Sequence, residues 1–267
     1  MKTRLTLAAL FAAASLSAAE DDMIRIPVDY RLAGTEFRGM LIYNGDEAAR
    51  DDGPLPGIVM FPNWMGPTEN AYAKAEMIAD DDYAVFVADM YGIDVRPSDD
   101  SEAAEAAAVV RDDRELMRSR ARNAVEVFHA LAEEHPIDRD KTIAIGFCFG
   151  GGTVLELARA GTDSINGAVS FHGDLASPTL DEDAGEIEIP LLVLHGADDP
   201  SVPQPDVQAF VEAMRKGGVE DWTLVQFSDT VHSFTNPEAD SDGSRYHERS
   251  ADRAFEMMDD FAEEVMD

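Results

Sequence analysis

The chain has a single cysteine in 267 residues, so no disulfide can close within it and packing alone must hold its core. Bases are scarce. Lys and Arg number 21 against 54 Asp and Glu, and lysine occurs only as Lys2, Lys74, Lys141 and Lys216. A formal net charge of −33 repels nucleic acid and anionic membrane surfaces, and excludes both as partners. The acids are spread in pairs and triplets (Asp80, Asp81, Asp82; Asp112, Asp113; Asp259, Asp260) rather than gathered in a tail. A surface so acidic and so poor in lysine suits concentrated salt, where counterions screen self-repulsion. A halophilic source is the expectation, an ordinary acidic protein the alternative. Repeats, low-complexity tracts and linkers are absent, and past the N-terminus no apolar run is long enough to span a bilayer. No His/Cys/Asp/Glu cluster has metal-ligand spacing and no phosphate-binding glycine motif occurs, so neither metal nor other cofactor is expected.

What is present fits one α/β domain: enough length, and 45% hydrophobic residues to fill a core. The first residues read MKTRLTLAALFAAASLSAAEDD. Lys2 and Arg4 precede an apolar run from Leu5 to Leu16, and Ser17-Ala18-Ala19 offers small residues for cleavage before Glu20. That is the pattern of a signal peptide over 1–19, leaving a domain over 20–267 that is exported to the periplasm or secreted. An amphipathic first helix is the other reading.

Alternation around Ala33-Gly34 predicts a hairpin from Met23 to Asn44. Continuous apolar runs predict buried strands at LPGIVMFPNW (55–64), YAVFVADMYG (83–92), TIAIGF (142–147), NGAVSFHG (166–173) and PLLVLHG (190–196), with WTLVQF (222–227) as the last strand. Helices are expected over 71–81, over Arg111 to Glu134 with a stripe of Leu116, Ala121, Ala124, Val125, Phe128 and Leu131, after Gly150, over 207–218, and from Tyr246 to Val265. Residues 177–188 read as an acidic loop. Strands alternating with helices after an antiparallel start give the α/β class: a mostly parallel sheet covered on both faces.

The one thiol lies in IGFCFGGG. Gly146-Phe147-Cys148-Phe149-Gly150 fits Gly-x-nucleophile-x-Gly, with a strand before it and a helix after it, as that turn requires. The sharp bend strains the central residue and leaves no room for side chains on either side. The nucleophile would stand at the carboxyl edge of the sheet, over a helix N-terminus that favours a thiolate. A buried structural thiol is the alternative. Two partners follow in order: the acidic loop Gly196-Ala197-Asp198-Asp199-Pro200-Ser201-Val202 after one strand, and Val231-His232-Ser233-Phe234 after the next. A thiol needs a base, and an imidazole needs a carboxylate to hold its tautomer.

GFCFGG, HGADDPSVP, VHSF and FPNWMGPTEN together resemble the dienelactone hydrolase family of α/β-hydrolases, from about Met23 to the C-terminus. The resemblance implies an α/β-hydrolase fold and a triad of Cys148, Asp199 and His232, with Asp199 chosen over Asp198 by the frame from Gly196 to Val202. It implies an oxyanion hole from the backbone N–H groups of Phe149 and Trp64. Two departures stand out. Asn63 replaces a glutamate found in many members, which favours a standing Cys148–His232 ion pair. The arginines that clamp a substrate carboxylate in the better-studied members would fall near Gly92 and Ile93 and at Asn236, where this chain has none. Asn63, Tyr91 and His172 are candidate pocket residues. Tyr91 could donate to substrate or pack at the core edge, Trp64 could wall the pocket or pack in the core, and His172 could line the cleft or bond a loop. His195 reads as structural, and His129 and His135 have no assigned role. The expected activity is hydrolysis of a small ester or lactone through a thioester, by a monomer or homodimer. The competing reading is a ligand-binding or thiol redox-sensing protein on a hydrolase scaffold.

Overall fold

The computed structural model describes residues 23–50, 53–80 and 82–267; the segment read as a signal peptide lies outside the described residues. The chain opens with β1 (Met23–Leu32) and β2 (Thr35–Asn44), antiparallel, with Leu32 opposite Thr35. Ala33 and Gly34 both have positive φ, 51° and 88°, the twist that a two-residue hairpin loop requires. There follow α1 (Gly45–Ala48), β3 (Leu55–Phe61), α2 (Glu69–Ala79), β4 (Ala84–Val87), α3 (Asp100–Arg111), α4 (Arg114–Leu131), β5 (Ile137–Phe147), α5 (Phe149–Arg159) and β6 (Gly167–Phe171). Then come α6 (Leu180–Asp183), a 3-10 turn (Ala184–Glu186), β7 (Leu191–Gly196), α7 (Gln204–Gly217), β8 (Trp222–Phe227) and α8 (Glu248–Met266).

The eight strands form one sheet in the order β1-β2-β4-β3-β5-β6-β7-β8. From β4 through β8 every neighbouring pair is parallel, while β1–β2 and β2–β4 are antiparallel. β3 explains why such strands read as unbroken apolar runs. Val59 and Phe61 belong to the core on one face of the sheet, with Phe86 and Phe128, whereas Ile58 and Met60 belong to the core on the other, with Val85 and Phe171. Side chains alternate across the sheet, and helices cover both sides. Parallel direction brings the ends of β3, β5, β7 and β8 to a single edge, where Trp64, Cys148, Asp199 and His232 emerge.

Two helical expectations change. Residues 100–110, given no element by their periodicity, form α3 together with Arg111; its N-cap Asp99 accepts the Glu102 amide at 2.9 Å while Glu102 accepts the Ser98 amide at 2.8 Å. The helix read as Arg111 to Glu134 breaks at Asp112-Asp113 and restarts at Arg114, because Asp113 Oδ1 takes the Leu116 amide at 3.0 Å and caps a new helix. Its buried stripe runs through Met117, Arg118, Ala121, Ala124, Val125 and Phe128, with Leu116 and Leu131 half-buried beside it. The strand read at 83–92 is only four residues long, its remainder being the loop that carries Asp89 and Tyr91. Residues 177–188 hold α6 and the 3-10 turn rather than a plain loop.

Candidate active site

Cys148 sits between β5 and α5 at φ 56° and ψ −114°, a strained region for a residue with a Cβ. Close packing holds it there. A Cβ on Gly146 would meet Gly150 O at 2.0 Å, and one on Gly150 would meet Phe61 O at 2.0 Å, so only glycine lets α5 start this near β3 and β5. Every residue of α5 is buried, which leaves the helix no freedom to tilt away.

Asp199 follows β7 and is 4% exposed, while its neighbour Asp198 is exposed. The Ser201 amide donates to Asp199 Oδ1 at 2.8 Å. His232 follows β8 in a loop bound to the acid's own: the Asp198 amide donates to Thr230 O at 3.0 Å, and the Arg245 amide donates to His232 O at 3.0 Å. The three side chains meet. His232 Nδ1 lies 2.8 Å from Asp199 Oδ2, and His232 Nε2 lies 3.1 Å from Cys148 Sγ. Burial opposes the charge on His232, but the hydrogen bonds to Asp199 and Cys148 outweigh it and raise the imidazole to about 10. Burial likewise works against ionised Asp199, and is outweighed by the His232 bond and the Ser201 amide, so the carboxyl is held below its ordinary range.

The Phe149 amide, first in its helix, has no intrahelical acceptor. The Trp64 amide precedes two that are spent: Met65 N–H donates to Asn63 Oδ1 at 3.0 Å and Gly66 N–H to Asn63 O at 2.9 Å. Both Phe149 and Trp64 line a cavity of about 390 Å³ that also reaches Cys148 and His232. Its walls include Ala107, Met117 and Val202, together with Asp174 and two cations, Arg111 and Arg114.

The three remaining candidates do not line this cavity. Asn63 spends its side chain on the turn just described. Tyr91 is 5% exposed; its hydroxyl donates to Trp64 O at 2.8 Å and its ring lies 5.6 Å from that of Phe149, so it packs behind the loop that carries Trp64. His172 is 3% exposed and bonded on both ring nitrogens. His195 is buried within β7, His129 lies in α4, and His135 packs against Tyr43. Arg111 and Arg114 were not singled out from the sequence. The signal for them was the Asp99-x-x-Glu102 cap and the Asp113 cap, which fix where two helices meet.

A parallel sheet with an antiparallel start, and a glycine-flanked elbow between its fifth strand and a buried helix, define the α/β-hydrolase fold. Within it the chain belongs to the dienelactone hydrolase family, whose model matches residues 44–266. An Escherichia coli (strain K12) protein that carries the provisional name carboxymethylenebutenolidase is 26% identical over 220 residues, 78% of this chain and 77% of that one. A solved structure described as a dienelactone hydrolase-like promiscuous phosphotriesterase from metagenomic libraries has a TM-score of 0.81 at 33% identity, covering 92% of this chain and 100% of that one. A Klebsiella pneumoniae protein provisionally named dienelactone hydrolase shares the fold, with a TM-score of 0.75 at 20% identity over 90% of this chain and 98% of that one.

Proposed function

We propose that this protein hydrolyses small esters or lactones with Cys148 as nucleophile, His232 as base and Asp199 as the acid that orients it. The observation that carries this reading is the contact chain from Asp199 Oδ2 to His232 Nδ1 at 2.8 Å and from His232 Nε2 to Cys148 Sγ at 3.1 Å. An imidazole raised to about 10 is protonated at neutral pH, which supports a standing ion pair with the sulfur. The thiolate forms a bond to the carbonyl carbon, and the carbonyl electrons move onto oxygen, where the Phe149 and Trp64 amides donate to it. When the carbonyl re-forms, the bond to the leaving oxygen breaks and His232 gives that oxygen its proton. Water then loses a proton to His232, attacks the thioester and releases the acid, and the proton on His232 restores the resting pair. The same amides can receive a phosphoryl oxygen, and the likeness to the promiscuous phosphotriesterase makes paraoxon the second substrate to try. Export of the chain and adaptation to salt, read from the N-terminus and the net charge, belong to the same proposal.

Iodoacetamide tests it against the rival reading. Labelling of Cys148 is expected to remove p-nitrophenyl acetate hydrolysis in proportion to the label. Fast labelling of a protein that turns over no ester or lactone would instead favour ligand capture or thiol redox response.

The cavity carries a preference as well. Arg111 ends α3 and Arg114 opens α4, and the Nε of Arg114 is buried with no hydrogen-bond partner. Arg114 also stands 4.0 Å from Glu156 and Arg111 3.8 Å from Asp112. In the cavity lining, however, the two guanidiniums face only one carboxylate, Asp174, and they favour an ester that bears a carboxylate. A p-nitrophenyl half-ester of a short dicarboxylic acid is expected to show a higher kcat/KM than a neutral ester of equal length. Arg111→Gln with Arg114→Gln should cut that ratio about tenfold, or about 1.4 kcal/mol. An unchanged ratio would rule out the two arginines as the anion clamp.

A further inference from the structure

Beneath the elbow, His172 is tied to the nucleophile's own backbone. It follows β6, is 3% exposed and has φ of 39°, a left-handed conformation that a non-glycine residue keeps only when its surroundings enforce it. The Cys148 N–H donates both to Phe171 O at 3.0 Å and to His172 Nδ1 at 3.2 Å. An Nδ1 that accepts carries no hydrogen, so the ring hydrogen is on Nε2, 2.9 Å from Thr235 Oγ1. Thr235 is fixed in turn: Lys74 Nζ donates to its carbonyl at 2.7 Å and to its hydroxyl at 3.4 Å, and the same ammonium lies 4.5 Å from the centre of the Phe147 ring. His172 and His232 stand 5.2 Å apart with their rings at 67°. Burial first, then the charges of His232, Lys74 and His195 around it, hold His172 neutral.

We propose that His172 is a positioning residue for the nucleophile: in the Nε2–H tautomer, with Thr235 as the partner of Nε2, it accepts the Cys148 amide and holds the elbow peptide so that Sγ faces His232. A Cys148 at φ 56° is held in a strained backbone region, and a peptide released on one side relaxes toward ordinary dihedrals, carrying Sγ off line. The Phe171 carbonyl, shared with the same N–H, is one of two restraints. The other distinguishes this site from a plain glycine turn, because it depends on a tautomer. The inference rests on the proposed function, in which Cys148 attacks the substrate.

Three variants test it. His172→Leu removes the acceptor but keeps bulk, His172→Asn returns an oxygen near the Nδ1 position, and Thr235→Val removes only the hydrogen-bond partner of Nε2. The readouts are the rate of Cys148 alkylation by iodoacetamide, kcat and KM for p-nitrophenyl acetate, and the 15N shifts of the His172 ring. The leucine variant is expected to slow alkylation and kcat about 10- to 100-fold with KM within about threefold, as a misplaced reacting atom does. The asparagine variant should return to within about threefold of the parent. Thr235→Val should convert the ring from one tautomer to a mixture and lower both rates, and it stands as the test if His172→Leu does not fold. Alkylation at the parent rate in His172→Leu, equal losses in the leucine and asparagine variants, or a single Nε2–H tautomer with parent rates in Thr235→Val would each overturn the proposal. Slower alkylation with unchanged hydrolysis would leave the positioning role intact and overturn the assignment of Cys148 as nucleophile.

Discussion

Cys148→Ala is expected to lower kcat for p-nitrophenyl acetate about ten-thousand-fold or more while the protein stays folded. The sulfur is the only group at the elbow placed to attack, 3.1 Å from His232 Nε2. The side chain is only partly buried at the edge of the core, and the turn is held through the backbone, by the close approaches at Gly146 and Gly150 and by the Cys148 amide, all of which the alanine keeps. What survives the substitution is the pair of free amides and the cavity, which still bind and polarise a carbonyl. Cys148→Ser should lose nearly as much, because a hydroxyl does not give up its proton to form the ion pair that a thiol does. Steady-state assay at neutral pH decides the matter, with far-UV circular dichroism to verify the fold. An alanine variant within about tenfold of the parent would remove the thiol from the chemistry.

Glu156→Gln carries the largest expected loss of stability. Glu156 is fully buried in α5, where its Oε2 accepts from Arg118 Nε at 2.8 Å and its Oε1 accepts from Arg159 Nη1 at 3.0 Å. Burial alone would push this carboxyl up, but Arg159, Arg118 and Arg114 outweigh it and hold it below its ordinary range. The amide keeps the shape and loses the charge, leaving the buried Arg159 with only neutral acceptors. Breaking a buried pair from one side costs about 3–5 kcal/mol, a large share of the roughly 5–15 kcal/mol that keeps a domain folded. The urea midpoint should fall accordingly. A shift worth less than about 1 kcal/mol would mean that Asp183, already bonded to Arg118, carries the cluster alone. The effect should also reach the site, since Arg118 lies on α4, the helix that Arg114 of the cavity wall opens.

The sheet was legible because its signals are local and strong. Ala33-Gly34 could only turn, and runs such as IVMF and LLVLH could only be strands buried on both faces. Chain order likewise pointed to Asp199 and His232 as neighbours of Cys148, because parallel strands bring their ends to one edge whatever the details. Helices α3 and α4 were harder. The inward residues of α3 are Ala103, Ala107 and Val110, too small to stand out from the alanines around them. The break at Asp112-Asp113 is a capping event that periodicity does not register. The pairing of Arg118 with Glu156 joins residues 38 positions apart, a distance at which periodicity carries no signal. His172 was legible as a histidine near the site, but not as an acceptor for the Cys148 amide. That role depends on a tautomer in which Nε2 meets Thr235, 63 residues later.

Acid-quenched protein taken during turnover of p-nitrophenyl acetate, digested and weighed by mass spectrometry, tests the thiol's part most directly. The account predicts one acetyl group, on the peptide that contains Cys148, appearing with the first equivalent of p-nitrophenol and decaying as substrate is exhausted. Turnover with that peptide unmodified at every time, or with the acetyl group on another residue, would contradict it.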